Sequence, residues 1–276
     1  MSILLAAAAS TLVFCAPGYP GVAADAQPYV DQFAAAAVKA SGWSPGSLSA
    51  VYDPTEKGGL EKLRTSDAIL TFVPYPFYVE HAAQLHLTPL AQADVVDTGT
   101  KEKWSLVAKS GGPSDAASLA GYTIVSVAGY APEFVLHTAL STWNLSSGAG
   151  VGPGGGIKVE PVGQILSALR RVASGEKVVA LLDQTQATAL PTLPFAKDLK
   201  TILQSPEVPV AIIAVVDKRL PDARARSFQA GLLKLGHEPG SADTLSSLKL
   251  KGFVMPQLSQ PPGDSTTKRA PDARKP

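Results

Sequence analysis

Continuous apolar runs of strand length, each followed by a segment with helical spacing, restrict the fold of this chain more than any other feature. Residues 11–16 read as a strand. Residues 25–40 read as a helix, with Tyr29, Phe33, Ala36 and Ala37 on one face. Strands at 47–52 and 68–73 flank a helix at 56–64. A strand covered by helices on both faces has no side to show to water, so it is apolar throughout instead of alternating. The pattern predicts an α/β fold with mostly parallel sheets flanked by helices.

The pattern restarts near residue 98. Strands at 103–109, 122–127, 157–162 and 178–183 alternate with helices at 132–143 and 164–174. Pro132 suits a first helical turn, where its missing N–H costs nothing, and Gly175 suits a helix end. A long apolar strand at 208–216 and a helix at 223–235, with Phe228, Leu232 and Leu235 on one face, then return to the first unit. We therefore expect one lobe from residues 11–98 plus 205–256 and a second from 104–200. Two crossing strands would make a hinge, with a cleft between the lobes. A length of 276 residues is enough for two lobes, and a 45% hydrophobic, 17% charged composition supplies their cores. Residues 257–276 are rich in Pro, Ser and charge and read as a disordered tail. Residues 1–10 read as a signal remnant. The breakers Pro17, Gly18, Pro20 and Gly21 exclude a membrane-spanning helix there.

A net charge of +1 without a basic patch excludes a nucleic-acid surface. The one cysteine, Cys15, allows neither an internal disulfide nor a cysteine metal centre and reads as a buried strand residue. His81 and His86 are five apart, poor spacing for ligands on a helix, and His81 is assigned to an exposed helix face. The segment 150–155 has the spacing of a dinucleotide fingerprint, but it precedes a strand instead of opening a helix after one. No phosphate-loop, zinc-protease or nucleophile-elbow motif is present, so no enzyme, metal or cofactor is expected. Four segments share one design, an apolar strand, a tight turn and a helix start. They are residues 16–21, 73–77, 127–132 and 182–185. Ligands of parallel α/β sheets bind beyond such strand ends. The candidate ligand-binding residues are Tyr19, Pro20, Tyr75, Phe77, Gly129, Tyr130, Asp183 and Gln184, with Asp183 as a hydrogen-bond acceptor.

The chain resembles the phosphate/phosphonate-type periplasmic solute-binding proteins. The resemblance rests on Tyr122-Thr123-Ile124-Val125-Ser126-Val127-Ala128-Gly129 opening the second lobe. It rests also on Gly175 before Val178-Val179-Ala180-Leu181-Leu182-Asp183, and on Gln204-Ser205-Pro206-Glu207-Val208-Pro209 leading into the return strand. It implies the two-lobed type 2 periplasmic-binding fold, a small-molecule ligand in the interlobe cleft, an exported monomer and delivery to a membrane transporter. Such receptors hold their anion with Ser/Thr hydroxyls and N–H groups after the strand that matches 122–127. This chain has Gly129-Tyr130-Ala131-Pro132-Glu133 there, with no hydroxymethyl side chain and a carboxylate in the first turn. The expected ligand is therefore a small, largely apolar or aromatic solute, with an oxyanion as the alternative and an enzyme on the same fold behind both.

Overall fold

The computed structural model describes residues 10–19, 21–143, 145, 157–238 and 240–258. The signal remnant up to residue 9, Pro20, the 150–155 segment and the tail from residue 259 lie outside them. In chain order, β1 (Ser10–Cys15), α1 (Ala23–Ala40), β2 (Leu48–Asp53), α2 (Glu56–Leu63), β3 (Ala68–Pro74), α3 (Tyr75–His81) and β4 (Thr88–Val95) come first. The short strand β5 (Lys101–Glu102) leads to β6 (Ser105–Lys109), β7 (Thr123–Ser126), β8 (Lys158–Pro161), α4 (Ile165–Ser174), β9 (Val178–Leu182), α5 (Gln184–Ala189) and β10 (Leu199–Gln204). The chain returns through β11 (Val208–Pro209) to β12 (Ala211–Val215), α6 (Asp222–Leu235), α7 (Ala242–Ser247) and β13 (Leu250–Val254).

A six-stranded sheet has the order β13-β4-β12-β3-β1-β2 and a five-stranded sheet the order β10-β6-β9-β7-β8. Between them, β11 and β5 form a two-stranded ribbon. The α/β class is as the sequence indicates, but the sheets are mixed, not mostly parallel. Parallel pairing joins β1 to β2 and β3, and β7 to β8 and β9. Antiparallel pairing joins β12 to β3 and β4, β13 to β4, and β6 to β9 and β10. The hinge explains this. Strands β1, β3, β7 and β9 end at the cleft, whereas β6 and β12 start from the hinge ribbon and run the other way.

Several elements differ from the sequence reading. The apolar run 208–216 is two strands, because Val210 leaves the ribbon and its carbonyl accepts the Tyr75 N–H at 3.0 Å. Strand β10 carries the second sheet to Gln204, past residue 200. Strands β4 and β13 were not foreseen. The helix at 132–143 is broken. Its centre, Phe134–Ala139, is π-helical, and the Leu140 N–H bonds the Val135 carbonyl at 3.1 Å. That wider turn buries Phe134, Val135, Leu136 and Ala139 together.

The first-lobe core is aromatic. Phe14, Phe33, Phe72 and Phe253 have ring centroids 5.2–6.2 Å apart beneath α1 and α6. Each buried Phe contributes about 1.5–3 kcal/mol. Phe134 of the second lobe packs edge-on to Trp104, just after β5, at 5.2 Å and to Tyr75 of the first lobe at 6.2 Å. One apolar cluster therefore runs from the first lobe past the hinge into the second.

Helix α2 lies so close to β1 that a Cβ on Gly59 would stand 2.0 Å from the Cys15 Sγ and 2.7 Å from its Cβ. Alanine gains about 1 kcal/mol of helix propensity over glycine, but overpacking costs about 1–3 kcal/mol. Gly59→Ala is expected to destabilise the protein by about 1–2 kcal/mol in urea unfolding, since the contact is too short for the thiol alone to relax. A neutral or stabilising result would contradict this packing of α2 on β1.

Candidate functional site

The loop after β1 reaches across to the second lobe. Gly18 has φ +83°, and a Cβ there would lie 2.5 Å from the Val127 carbonyl oxygen just beyond β7. Only glycine fits so near a backbone oxygen at that dihedral. This approach carries the next residue, Tyr19, into the cleft. Tyr19 is 40% exposed, yet its phenol is held well above the ordinary range, first by desolvation and then by the Glu102 and Asp183 carboxyls. The hydroxyl therefore stays protonated and able to donate.

Tyr130 follows β7 on the facing lobe. Burial raises its phenol most, followed by Tyr19, Cys15, Glu56 and Glu80. Gly129 before it is buried, and a Cβ would meet the Glu160 carbonyl oxygen at 2.2 Å. Its role is to seat the turn against β8. Asp183 caps α5. Its Oδ1 accepts the Gln186 N–H at 2.8 Å, and the Gln186 Oε1 accepts the Asp183 N–H at 3.3 Å. Burial raises the Asp183 carboxyl, and the Gln186 and Thr185 amides draw it back. Much of the acceptor capacity assigned to Asp183 thus serves the helix. The side-chain Oε1 of Gln184 accepts the Lys103 N–H at 3.2 Å, tying α5 to the hinge.

The sequence reading missed Glu102, the acidic residue of β5. It is 4% exposed. Its Oε1 accepts the Trp104 Nε1–H at 3.1 Å. Burial, and then Asp183, push its carboxyl up to about 8, against the pull of Trp104 and the Gln184 amide. Lys101-Glu102-Lys103 looks like a solvated turn in sequence, and nothing local marks the middle residue as buried.

Tyr19, Asp183 and Glu102 lie close enough to act on one another, as do Tyr19 and Tyr130, whereas Phe77 and Tyr75 lie elsewhere. Phe77 is 0% exposed, with its ring 4.6 Å from that of His81. It belongs to the core and presents no cleft surface. His81 is also buried, not on an exposed face, and its Nε2 lies 2.9 Å from the Glu56 Oε1. Tyr75 stacks on Tyr78 at 6.1 Å and lines a separate cavity of about 390 Å³ with His137 and the hinge residues Pro206, Val208 and Pro209. Tyr19 instead borders a cavity of about 270 Å³ at the strand ends of the first lobe, with Phe14, Val73, Pro74, Ala211 and Lys249 in its walls. Sequence reasoning missed Lys249 as well. It precedes β13 at φ +55° and is exposed.

The turn after β7 is already occupied. Glu80 of α3 crosses from the first lobe, and its Oε2 accepts the Glu133 N–H at 2.9 Å. Among the described residues no group of three or more His, Cys, Asp or Glu is arranged to hold a metal ion.

Two sheets joined through the β5–β11 ribbon make up the described fold. The sequence profile of the family described as ABC transporter, phosphonate, periplasmic substrate-binding protein matches residues 60–260, and the chain belongs to that family. Solved structures agree on the fold. XAC2383 from Xanthomonas citri, bound to chloride ion, has a TM-score of 0.67 and 16% identity, covering 91% of this chain and 92% of that one. A binding protein component of an ABC phosphonate transporter from Pseudomonas aeruginosa gives 0.59 and 16%, covering 90% and 82%. PhnD1 from Prochlorococcus marinus, in complex with methylphosphonate, gives 0.56 and 15%, covering 90% and 93%. No curated protein matches in sequence. The family implies an exported, substrate-binding protein with a small-molecule ligand and a membrane transporter as partner. No described helix is long and apolar enough to cross a membrane.

Glu102 gives the cleft a pH signature. An unfolded glutamate titrates near about 4.3, whereas the folded one holds its proton to about 8. Between these values the folded state binds more protons, so this group's contribution to stability is full at low pH and is lost as pH rises through 8. Glu102→Gln keeps an acceptor for Trp104 and removes the titration. Its melting temperature should match the wild type near about pH 5 and exceed it by a few degrees near about pH 9. A constant difference across that range would show that Glu102 is not held protonated.

Proposed function

We propose that this protein captures a small oxyanion-bearing ligand of the phosphonate class between its lobes and presents it to its ABC transporter. The observation that carries this reading is the position of Tyr19. Tyr19 lines a cavity that Lys249 also borders, and it lies near enough to Tyr130 to act on that residue's phenol. Two phenols kept protonated and one lysine can donate to an oxyanion. The apolar walls at Phe14, Val73, Pro74 and Ala211 would take a short organic substituent. Glu102 and Asp183 would accept from a donor on the ligand, either a protonated oxyanion oxygen or an amino group. Family membership supports the same ligand class. A largely apolar or aromatic ligand loses its basis, because Phe77 is in the core and Tyr75 faces another cavity.

Isothermal titration with methylphosphonate tests the proposal. Micromolar binding is expected. Tyr19→Phe, which removes one donor to a charged group, should weaken it about tenfold. Lys249→Met should weaken it in the same direction. Absence of binding at millimolar methylphosphonate and millimolar phosphate would overturn the oxyanion reading. Binding that neither substitution changes would move the anion away from Tyr19.

A further inference from the structure

The two lobes touch at several points in this structure. Gly18 meets the Val127 carbonyl, Tyr75 meets Phe134, and Gln184 reaches Lys103 at the hinge. The first two are packing contacts, and the third is held by the hinge itself. The Glu80 carboxylate on the Glu133 N–H is different in kind. Among the described residues it is the polar bond made away from the hinge by a side chain of one lobe to the main chain of the other.

Local sequence prepares both partners. Pro132 has no N–H, so the first free donors of the helical turn are Glu133 and Phe134. Both amides favour the ionised form of Glu80. A carboxylate on such donors makes a charge-assisted hydrogen bond at the positive end of the turn. On α3, Tyr78, Val79 and Ala82 face the hinge-side cavity, while Glu80 crosses to the other lobe. Desolvation of Glu80, and its nearness to the Glu133 and Glu56 carboxylates, oppose the contact and keep it modest.

We propose that Glu80 is an interlobe clasp that holds the lobes together before any ligand arrives. Closure is then shared between the ligand and the protein's own carboxylate, and the ligand needs to supply only the remainder. The clasp also fills the donors after β7, which directs an incoming anion toward Tyr19 and Lys249. This last consequence rests on the proposed ligand class, whereas the clasp does not.

Small-angle X-ray scattering of the ligand-free protein separates the two. Glu80→Ala should raise the radius of gyration relative to wild type, with the closed-to-open ratio falling about tenfold, the size of one charge-assisted hydrogen bond. Glu80→Gln keeps an acceptor oxygen without the charge and should fall between them. Scattering from a folded Glu80→Ala protein that superposes on wild type would overturn the clasp. If the alanine variant fails to fold, Glu80→Gln decides alone, with a larger radius supporting the clasp and superposition overturning it. Methylphosphonate is absent from these samples, so a wrong ligand class leaves the result unaffected.

Discussion

The arrangement of the cleft depends on a carboxyl group kept out of water at the hinge. Glu102 lies on β5, buried beside Asp183, and is held by the Trp104 indole N–H and the Gln184 amide. Burying a charge is costly unless it is paired, and a carboxyl without a cationic partner meets that cost by keeping its proton. The same enclosure keeps the phenols of Tyr19 and Tyr130 protonated. Lys249 borders the neighbouring cavity that Tyr19 also lines.

The hinge also sets the topology. Because β6 and β12 leave the ribbon in the direction opposite to the strands that end at the cleft, each sheet becomes mixed. The strands that do end there deliver the turns carrying Tyr19, Tyr130 and Asp183. Gly18 and Gly129 allow those turns to sit against backbone, one across the cleft and one within its own lobe. Phe134 then joins the hinge tryptophan to Tyr75, so that the apolar core is continuous where the lobes meet.

Much of this was legible in the sequence, for reasons that also mark its limits. The runs 11–16, 68–73, 122–127 and 178–183 are mostly apolar because helices or the other lobe cover both faces, and they correspond to β1, β3, β7 and β9. Strand β4 escaped notice because it begins Thr88-Pro89 and includes Gln92 and Asp94, so it has no continuous apolar run. The break at Val210 was hidden inside one. Shared position after a strand is what nominated Tyr19, Tyr130 and Asp183 in the sequence. The same rule misassigned Phe77, because it fixes where a turn lies and not which way a side chain points on the helix that follows. Glu102, Glu80 and Lys249 gave no signal. Each meets a segment far away in the chain: α5 for Glu102, the turn after β7 for Glu80, and the β1 loop for Lys249.

A crystal structure grown with methylphosphonate tests the central claim most directly. The account predicts phosphonate oxygens within hydrogen-bond distance of the Tyr19 and Tyr130 hydroxyls, with the methyl group toward Phe14 and Val73. A phosphonate seated against Tyr75, Tyr78 and His137, or density only at the protein surface, would contradict it.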